Sequence, residues 1–440
     1  MTSSPEVAIP AQQHHYGQAN QRASGGCAPE GPGQRSTAML PAGGAPRRVS
    51  AGAVTAGTGD PKDERGVRFA MTAATPGSAP SPRAAGGPLR VVQWTTGNVA
   101  RQAVRAVLDR ADLALVGAYA FSADKAGRDV GELAGLGRTL GIAATSDIDA
   151  IIALKPDCVL YMPLHPDVDH LVRLLGSGVN VLSTASFITG RAYGEAARKR
   201  LQQAAEAGGA SLFGGGINPG WADYLAAIAS GVCREVNYVR VVESFNIGMW
   251  AGDANQDELG WGRPAGDRGH AEDIVKATAP FADAVEAMAE LLSLPVDDIR
   301  CDVRFAHALS DVDGIPGRSI KKGTVAGIDA RWIGSCGGVD AIEVNVRWTV
   351  APDIDPAWEI AMAYQIEVRG YPQVNLRVEV LPQDMESMTI EEMMAIGSVI
   401  TAMPIVNAIP AVVAARPGIV TYADLPPQAS RFAPERGTGK

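Results

Sequence analysis

The chain has 440 residues, 46% of them hydrophobic and 20% charged, and a formal net charge of −9. This length allows two ordinary domains, each with its own core. Because most of the negative charge falls after residue 88, a nucleic-acid partner is not expected. The five cysteines show neither CxxC nor metal-ligand spacing, so no disulfide framework and no metal site is predicted. With no uninterrupted apolar run of roughly 18 residues and no signal-peptide pattern, the sequence indicates a soluble, cytoplasmic protein without a membrane partner.

Residues 1–88 are rich in Gly, Pro, Ala, Ser and Gln, without sustained helical or strand periodicity. Such a composition buries too little apolar surface to order a chain, so this segment is predicted to be a disordered leader. Met71 precedes the first convincing strand and is an alternative start of translation.

From residue 89 to 216, short β-rich runs alternate with amphipathic helical stretches, the pattern of βαβ units around a parallel sheet. Strands are predicted at Arg90–Trp94, Leu113–Ala120, Asp157–Tyr161, Asn180–Leu182 and Ser211–Phe213. Helices are predicted at Val99–Asp109, Ile148–Ala153, Val168–Leu175 and Tyr193–Ala207.

Residues 217–388 change rhythm and indicate an α+β domain with a mostly antiparallel sheet. Its strands are predicted at Tyr238–Val242, Asp302–His307, Thr324–Ile333, Ala341–Val350, Tyr364–Arg369 and Asn375–Val380. One helix, Ala271–Leu292, is expected to cover the sheet. Residues 389–430 should then return to the first domain with a helix at Ile390–Ala402, whose continuation is limited by Pro404 and Pro410.

The segment Trp94–Arg101 is a strand, a tight turn and a helix, the context in which a glycine-rich fingerprint binds pyrophosphate. The three glycine positions hold Thr95, Gly97 and Ala100, so only the middle glycine remains. The alternative is an ordinary strand-turn-helix with one glycine. If the turn binds an anion, the free N–H groups and the helix dipole would hold it. The candidate residues are Thr96, Gly97, Asn98, Val99, Ala100 and Arg101.

The end of the second strand bears on the choice of cofactor. An NAD-specific site usually has an Asp or Glu there, whereas this chain has Phe121-Ser122 followed by Lys125 and Arg128. A hydroxyl and cations favour a 2′-phosphate, so NADP is predicted in preference to NAD, with Ser122 and Lys125 as contacts. The alternative is that these loop cations are merely solvated.

Three further loops should line the cleft beyond the carboxyl ends of the strands, where open α/β sheets bind ligands. They begin at Met162, Ser183 and Gly214. Triple glycine followed by Asn218-Pro219-Gly220 is costly in backbone entropy, which indicates a close ligand or a tight hinge. A plain interdomain linker is the alternative.

Together these segments resemble the dihydrodipicolinate reductase-like superfamily and, within it, the 2,4-diaminopentanoate dehydrogenases and native amine dehydrogenases. The resemblance spans Leu89–Pro426. The motifs that carry it are Trp94–Arg101, Lys125–Leu133, Gly216–Trp221, Lys322–Gly327, and Val406–Pro410 with Pro417-Gly418-Ile419. It implies a Rossmann domain, a C-terminal α+β domain that shapes the pocket and a homodimer, and hydride transfer between NAD(P)H and a C=O or C=N carbon.

The resemblance also implies positions for the cofactor. The turn at Gly97 would hold the pyrophosphate, and Met162, Pro163, Leu164, Ser183 and Thr184 would flank the nicotinamide and its ribose. Asn218 and Pro219 would lie near the carboxamide, and Asn407 is expected in the same region.

The chain departs from both relatives at the catalytic residues. Glu243–Trp250 lacks the substrate-binding histidine and lysine motifs of dihydrodipicolinate reductases, which disfavours an enzyme of lysine biosynthesis. Ser186-Phe187 stands where amine dehydrogenases place a glutamate pair. Candidate acids and bases are therefore His165, Tyr193 and Glu243. Asp223 and Tyr224 are further candidates. An apolar pocket is predicted from Trp221, Phe245, Met249, Trp250 and Trp261. The alternatives are that these residues are structural, and that the protein is a catalytically inactive NADP-binding redox sensor.

Overall fold

The structure is a computed structural model that describes residues 87–250, 254–315, 318–382 and 388–431. Nearly all of the predicted leader, with the alternative start at Met71, lies outside the described residues.

The first domain is built on a seven-stranded parallel sheet in the order β14-β6-β5-β4-β1-β2-β3. The strands are β1 Leu89–Trp94, β2 Leu113–Tyr119, β3 Ala144–Thr145, β4 Cys158–Tyr161, β5 Asn180–Ser183, β6 Ser211–Gly214 and β14 Gly418–Val420. From β1 the chain first runs outward through β2 and β3, and then returns to β4 on the other side. This reversal defines a Rossmann sheet with its switch point between β1 and β4, as predicted.

Five helices connect these strands: α1 Asn98–Leu108, α2 Val130–Leu133, α3 Ile148–Ala153, α4 Val168–Gly176 and α5 Glu195–Gly208. Their apolar residues recur at helical spacing and face the sheet, as Ala100, Val104 and Val107 of α1 do. The sequence predicted α5 two residues too early, because Gly194 separates Tyr193 from the first helical residue.

The second sheet is antiparallel except for the parallel pair β7 and β10, with the order β11-β8-β9-β10-β7-β12-β13. Its strands are β7 Glu235–Asn246, β8 Asp298–Ala308, β9 Val325–Cys336, β10 Val339–Thr349, β11 Ile354–Asp355, β12 Ala363–Tyr371 and β13 Val374–Val378. One face carries the core residues Val241, Ile342 and Val344. The other carries charged side chains, such as Glu343 between Arg240 and Arg331.

Three helices accompany this sheet: α6 Ala222–Ser230, α7 His270–Ala277 and α8 Pro280–Leu291. The single helix predicted over Ala271–Leu292 is therefore wrong. Pro280 lacks the N–H that a continuous helix needs at that position and instead starts α8, where a missing donor costs nothing.

The last helix, α9, runs from Ile390 to Val413 without interruption, so the prediction that two prolines limit it is also wrong. Pro410 cannot donate to the carbonyl of Val406, but the Arg110 guanidinium does so at 3.2 Å. This replaces the lost helical hydrogen bond. After α9, strand β14 pairs with β6, which brings the chain back to the first sheet.

Of the described helices, the stretch Glu392–Val413 of α9 is long and apolar enough to cross a membrane by length and composition. The same composition is found in core helices of globular proteins. Here Ala402, Ile405, Ile409 and Val412 are fully buried in the core of the Rossmann domain. This packing accounts for the apolar character of the second half of the helix.

Candidate cofactor and catalytic site

The turn between β1 and α1 leaves the start of the helix open. Thr95 has a φ of 85°, the left-handed conformation usual for glycine, and its hydroxyl donates to the carbonyl of Met162 at 3.1 Å. Gly97 caps α1 without a side-chain hydrogen bond, and a Cβ added there would meet no atom within 4 Å. The first N–H groups of α1 therefore lie open to an anion at the switch point, beside the exposed Arg101. These residues fit the pyrophosphate of a dinucleotide.

The loop after β2 holds charges of both signs. Ser122 and Lys125 are half-buried and belong to one turn, in which the Ser122 carbonyl accepts from the Lys125 N–H at 3.0 Å. Asp124 lies between them, and the hydrogen bond with the Ser122 side chain lowers the pKa of this carboxyl group. The sequence prediction did not weigh this carboxylate, which stands only two residues after Ser122.

The loops after β4 and β5 are tied to their neighbours by backbone hydrogen bonds. The Thr184 N–H donates to Tyr161 at 3.2 Å, and the Ser183 carbonyl accepts from Gly215 at 3.0 Å. Met162 and Pro163 are buried, whereas Leu164 and His165 are exposed. The structure thus brings the predicted nicotinamide loops together at one edge of the sheet, with His165 at an exposed position.

Tyr193 is engaged in a structural contact. It lies in a 3-10 turn, not in α5, its hydroxyl donates to the carbonyl of Ala185, and its ring packs edge-on against Phe187 at 5.2 Å. Burial raises the pKa of Tyr193 above the ordinary value of 10. These contacts close the loop after β5 and leave the hydroxyl poorly suited to proton transfer, so we do not retain Tyr193 as an acid.

A side chain of the second domain also binds the loop after β5. Asp283 of α8 is fully buried, and its carboxylate accepts from the N–H groups of Thr189, Gly190 and Ala192 at 3.1, 2.9 and 2.7 Å. Asp283 was not among the residues predicted for the site, although an aspartate among the apolar residues of a helix was a usable signal. This contact fixes the second domain against the cofactor edge.

The turn after β6 brings Asn218 to Glu243. The Asn218 Nδ2 donates to Glu243 Oε2 at 2.8 Å, and Trp348 of β10 donates from Nε1 to Oε1 at 3.2 Å. Trp348 was not identified from the sequence, where it is one apolar residue of a strand. Two candidates from separate elements, Asn218 and Glu243, thus meet in one cluster.

Two carboxyl groups of this cluster have raised pKa values. Burial raises the pKa of Glu243 to about 7 against the two hydrogen bonds that lower it, and the charge of Asp223 adds to the increase. Burial likewise raises the pKa of Asp223 to about 7. Within the part of the chain that the structure describes, no Lys, Arg or His forms an ion pair with either group. Such groups, poised near neutral pH beside a cofactor edge, are typical of acid–base sites.

Asn407 lies away from the predicted nicotinamide position. On α9 it comes six residues after Thr401, which approaches Gly216 at the cofactor edge. Its Oδ1 faces the Arg110 guanidinium, at 3.5 Å, beyond the carboxyl end of α1. Because α1 begins at the cofactor edge and runs away from it, this places Asn407 in the packing of α1 against α9.

The residues predicted to form an apolar pocket do not all lie near Glu243. Phe245 is half-buried and packs on Tyr364 at 5.2 Å, next to Glu243 on the same strand. Trp261, however, is only 6% exposed and belongs to the core of the second domain. Trp250 donates from Nε1 to the carbonyl of Met394, which ties it to α9. Phe245 and Trp221 remain candidates for an apolar wall; Met249 is half-buried nearby in sequence.

Comparison with known proteins gives a consistent result. Residues 222–436 match the family model of the 2,4-diaminopentanoate dehydrogenase C-terminal domain. An amine dehydrogenase of Streptomyces virginiae is 28% identical over 355 residues, which cover 77% of this chain and 96% of that protein. The 2,4-diaminopentanoate dehydrogenase of Acetoanaerobium sticklandii is 26% identical over 238 residues, which cover 52% of this chain and 61% of its own.

Among solved structures, the amine dehydrogenase from Mycobacterium smegmatis shares the fold. It has a TM-score of 0.64 at 22% identity, covering 78% of this chain and 97% of that one. Fold, open dinucleotide turn and relatives together define the chain as an NAD(P)-dependent oxidoreductase. It is similar to the 2,4-diaminopentanoate dehydrogenases and amine dehydrogenases, as the sequence motifs predicted.

Proposed function

We propose that the protein transfers hydride between NADP and the C=N or C=O carbon of a small, apolar substrate, with Glu243 as the acid–base residue. The observation that carries the proposal is the Glu243 carboxylate, held by Asn218 from the turn after β6 and by Trp348, without a cationic partner among the described residues. When bound, the nicotinamide supplies or accepts the hydride.

The residues of the chain divide the remaining work. The first turn of α1 holds the pyrophosphate by its N–H groups, and the loops at Met162 and Ser183 flank the cofactor. Phe245 and Trp221 favour an apolar substrate by limiting water around the reacting carbon. With a pKa near 7, Glu243 can give a proton to the substrate nitrogen or oxygen in reduction and remove it in oxidation.

A nitrogen substrate fits the electrostatics better than a neutral carbonyl. Glu243 places negative charge where a protonated imine or amine would be stabilised, and no basic side chain of the described residues competes for this carboxylate. Ser186 and Phe187 stand where the family resemblance implies a glutamate pair after β5. Glu243 supplies a carboxylate from a different strand.

The test compares Glu243→Gln with Glu367→Gln, a control on the neighbouring strand β12 that lies in an exposed ion pair with Arg369. NADPH oxidation is measured with ketones and aldehydes, each with and without ammonium. We expect Glu243→Gln to lower kcat by about 10²–10⁴-fold, the usual contribution of a general acid or base, while the Kd for NADPH stays within threefold. Full activity in Glu243→Gln would remove Glu243 from the mechanism. Tight cofactor binding without turnover of any substrate by the unmodified enzyme would favour the redox sensor.

We propose NADP over NAD because the loop after β2 offers the Ser122 hydroxyl and the Lys125 ammonium. Asp124 opposes a 2′-phosphate, so the preference depends on Lys125. We expect Lys125→Ala to raise the KM for NADPH about tenfold, the effect of losing one charge-assisted contact of about 1.4 kcal/mol, and to leave the KM for NADH unchanged. A wild-type preference for NADH would overturn the assignment.

We also propose that the protein is cytoplasmic and forms a homodimer. Free cysteines at 158, 233, 301 and 336 suit a reducing cytoplasm, and the family resemblance favours a homodimer. Light scattering of the purified full chain measures its mass directly, and a monomer at micromolar concentration would contradict the homodimer.

A further inference from the structure

Around the turn between β6 and α6 lie three buried polar atoms that have no hydrogen-bond partner among the described residues. They are Oδ1 of Asn218, Oδ1 of Asp223 and Oη of Tyr422. Asp223 reaches back to this turn through its other oxygen, which accepts from the Gly220 N–H at 2.7 Å. A Cβ added to Gly215 would lie 3.3 Å from Tyr422 Oη, so the phenol stands over the same turn.

The three atoms differ in whether they can donate or only accept a hydrogen bond. An amide oxygen and a carboxylate oxygen only accept, and the Tyr422 hydroxyl is the single donor of the three. Buried acceptors without donors are costly. A proton on Asp223 converts one acceptor into a donor and makes the set satisfiable.

Glu243 and Asp223, the two carboxyl groups of the cluster, differ in the hydrogen-bond donors that reach their oxygens. Glu243 receives a donor on each oxygen, from Asn218 and Trp348, which stabilises its ionised form. Asp223 accepts from the Gly220 N–H on one oxygen, and its other oxygen is unpaired among the described residues. Two neighbouring carboxylates without a cation cannot both carry charge at low cost.

We propose that Asp223 is the protonated member of this pair and Glu243 the ionised one, so that Asp223 is a positioning residue that sets the charge state of the base. Only the catalytic role of Asp223 rests on the proposed function, because the proton is present on Asp223 in the enzyme without substrate. In each oxidative turnover Glu243 takes the substrate proton and later releases it to solvent, while Asp223 keeps its own.

The groups that face Asp223 agree with a neutral carboxyl. They are Glu243 from β7, Tyr364 from β12 and Tyr422 after β14, none of which is a cation; Tyr224, the next residue on the same helix, stacks on Tyr422. Asp283 of the packed helix α8 is directed instead to the backbone of residues 188–192. Burial raises the pKa of Asp223 to about 7, which is the direction a neutral form requires.

Infrared spectroscopy of the full-length protein at pH 7 tests the assignment without turnover. We expect a C=O stretch of a protonated carboxylic acid that disappears in Asp223→Asn and persists in Glu243→Gln. Asp329→Asn is the matched control, since Asp329 is a buried aspartate that pairs with Arg347 and should leave the band in place.

A second measurement does not depend on the folding of a variant. Wild-type protein grown with carboxyl-¹³C aspartate should show the same band at lower frequency, whereas carboxyl-¹³C glutamate should leave it unmoved. The reverse isotope result, or a band that persists in Asp223→Asn, would overturn the proposal. If Asp223 is neutral, the pKa of Glu243 from the pH profile of kcat/KM should also move by less than about half a unit in Asp223→Asn; an ionised neighbour would move it by a unit or more.

Discussion

The loop after β5 and the turn after β6 each contact one buried aspartate. The two aspartates differ in how many hydrogen bonds their carboxyl oxygens accept. Asp283 has its carboxylate surrounded by backbone N–H groups of residues 188–192. Asp223 accepts one backbone hydrogen bond and leaves an oxygen unpaired. Burial raises the pKa of both. The difference indicates that burial alone does not decide the role of a carboxyl group: one whose oxygens accept several backbone hydrogen bonds is a structural anchor, and one with an unpaired oxygen beside a second carboxyl group is suited to hold a proton.

The largest effect on stability is expected from removing Asp283. Asp283→Ala would leave several buried N–H groups without an acceptor and would lower the free energy of unfolding by about 3 kcal/mol or more. Urea unfolding measures the loss. Glu290→Ala, at an exposed position of the same helix, is the control and should change stability by less than about 0.5 kcal/mol. Equal stability of the two variants would show that the loop does not need this anchor.

The pair formed by Asp223 and Glu243 should instead affect the pH dependence of stability. The folded-state pKa values of Asp223 and Glu243 are raised to about 7, above their ordinary values of 3.8 and 4.5. The folded protein therefore binds more protons than the unfolded chain between these limits. Their contribution to stability is fully present below pH 4 and is lost as the pH rises through 7.

We expect the free energy of unfolding to fall by up to about 1.4 kcal/mol per pH unit for each group between pH 5 and 7. The double variant Asp223→Asn, Glu243→Gln should lose most of this slope. Urea midpoints at pH 5, 6 and 7 provide the comparison. Parallel slopes in the variant and the wild type would show that neither carboxyl group holds a proton at neutral pH.

The sequence predicted the fold well because its signals are local. Alternation of β-rich runs with amphipathic helices identified five of the seven strands of the Rossmann sheet, and the motifs indicated the family that the chain resembles. The short strands β3, β11 and β14 were missed, since two or three residues carry no period of their own. The continuity of α9 was missed for a different reason: the donor that compensates for Pro410, Arg110, lies some 300 residues away in sequence.

The site was harder to predict because its partners come from distant elements. Glu243 and Asn218 were both named as candidates, yet no local pattern indicated that they share a hydrogen bond or that Trp348 completes it. Asn407 was assigned by resemblance and lies beside Arg110 instead. NADP preference, catalytic roles and the homodimer remain predictions.

The triple glycine after β6 gives the smallest and most discriminating test, because the sequence attributed it to a ligand or a hinge. A Cβ at Gly214 would lie 1.9 Å from the backbone oxygen of Phe187, so this glycine is required by packing against the loop after β5. A Cβ at Gly216 would meet nothing closer than 3.8 Å, and its φ of 172° is ordinary extended backbone.

We therefore expect Gly214→Ala to lower the free energy of unfolding by about 1–3 kcal/mol through overpacking, and Gly216→Ala to change it by less than about 0.5 kcal/mol. Thermal unfolding and NADPH titration on both variants separate the two possible reasons for glycine at these positions: close packing and room for the cofactor. If Gly216→Ala is stable but binds NADPH at least tenfold more weakly, then this glycine leaves room for the cofactor. If it is stable and binds normally, packing at Gly214 explains the motif, and the ligand interpretation of the triple glycine is wrong.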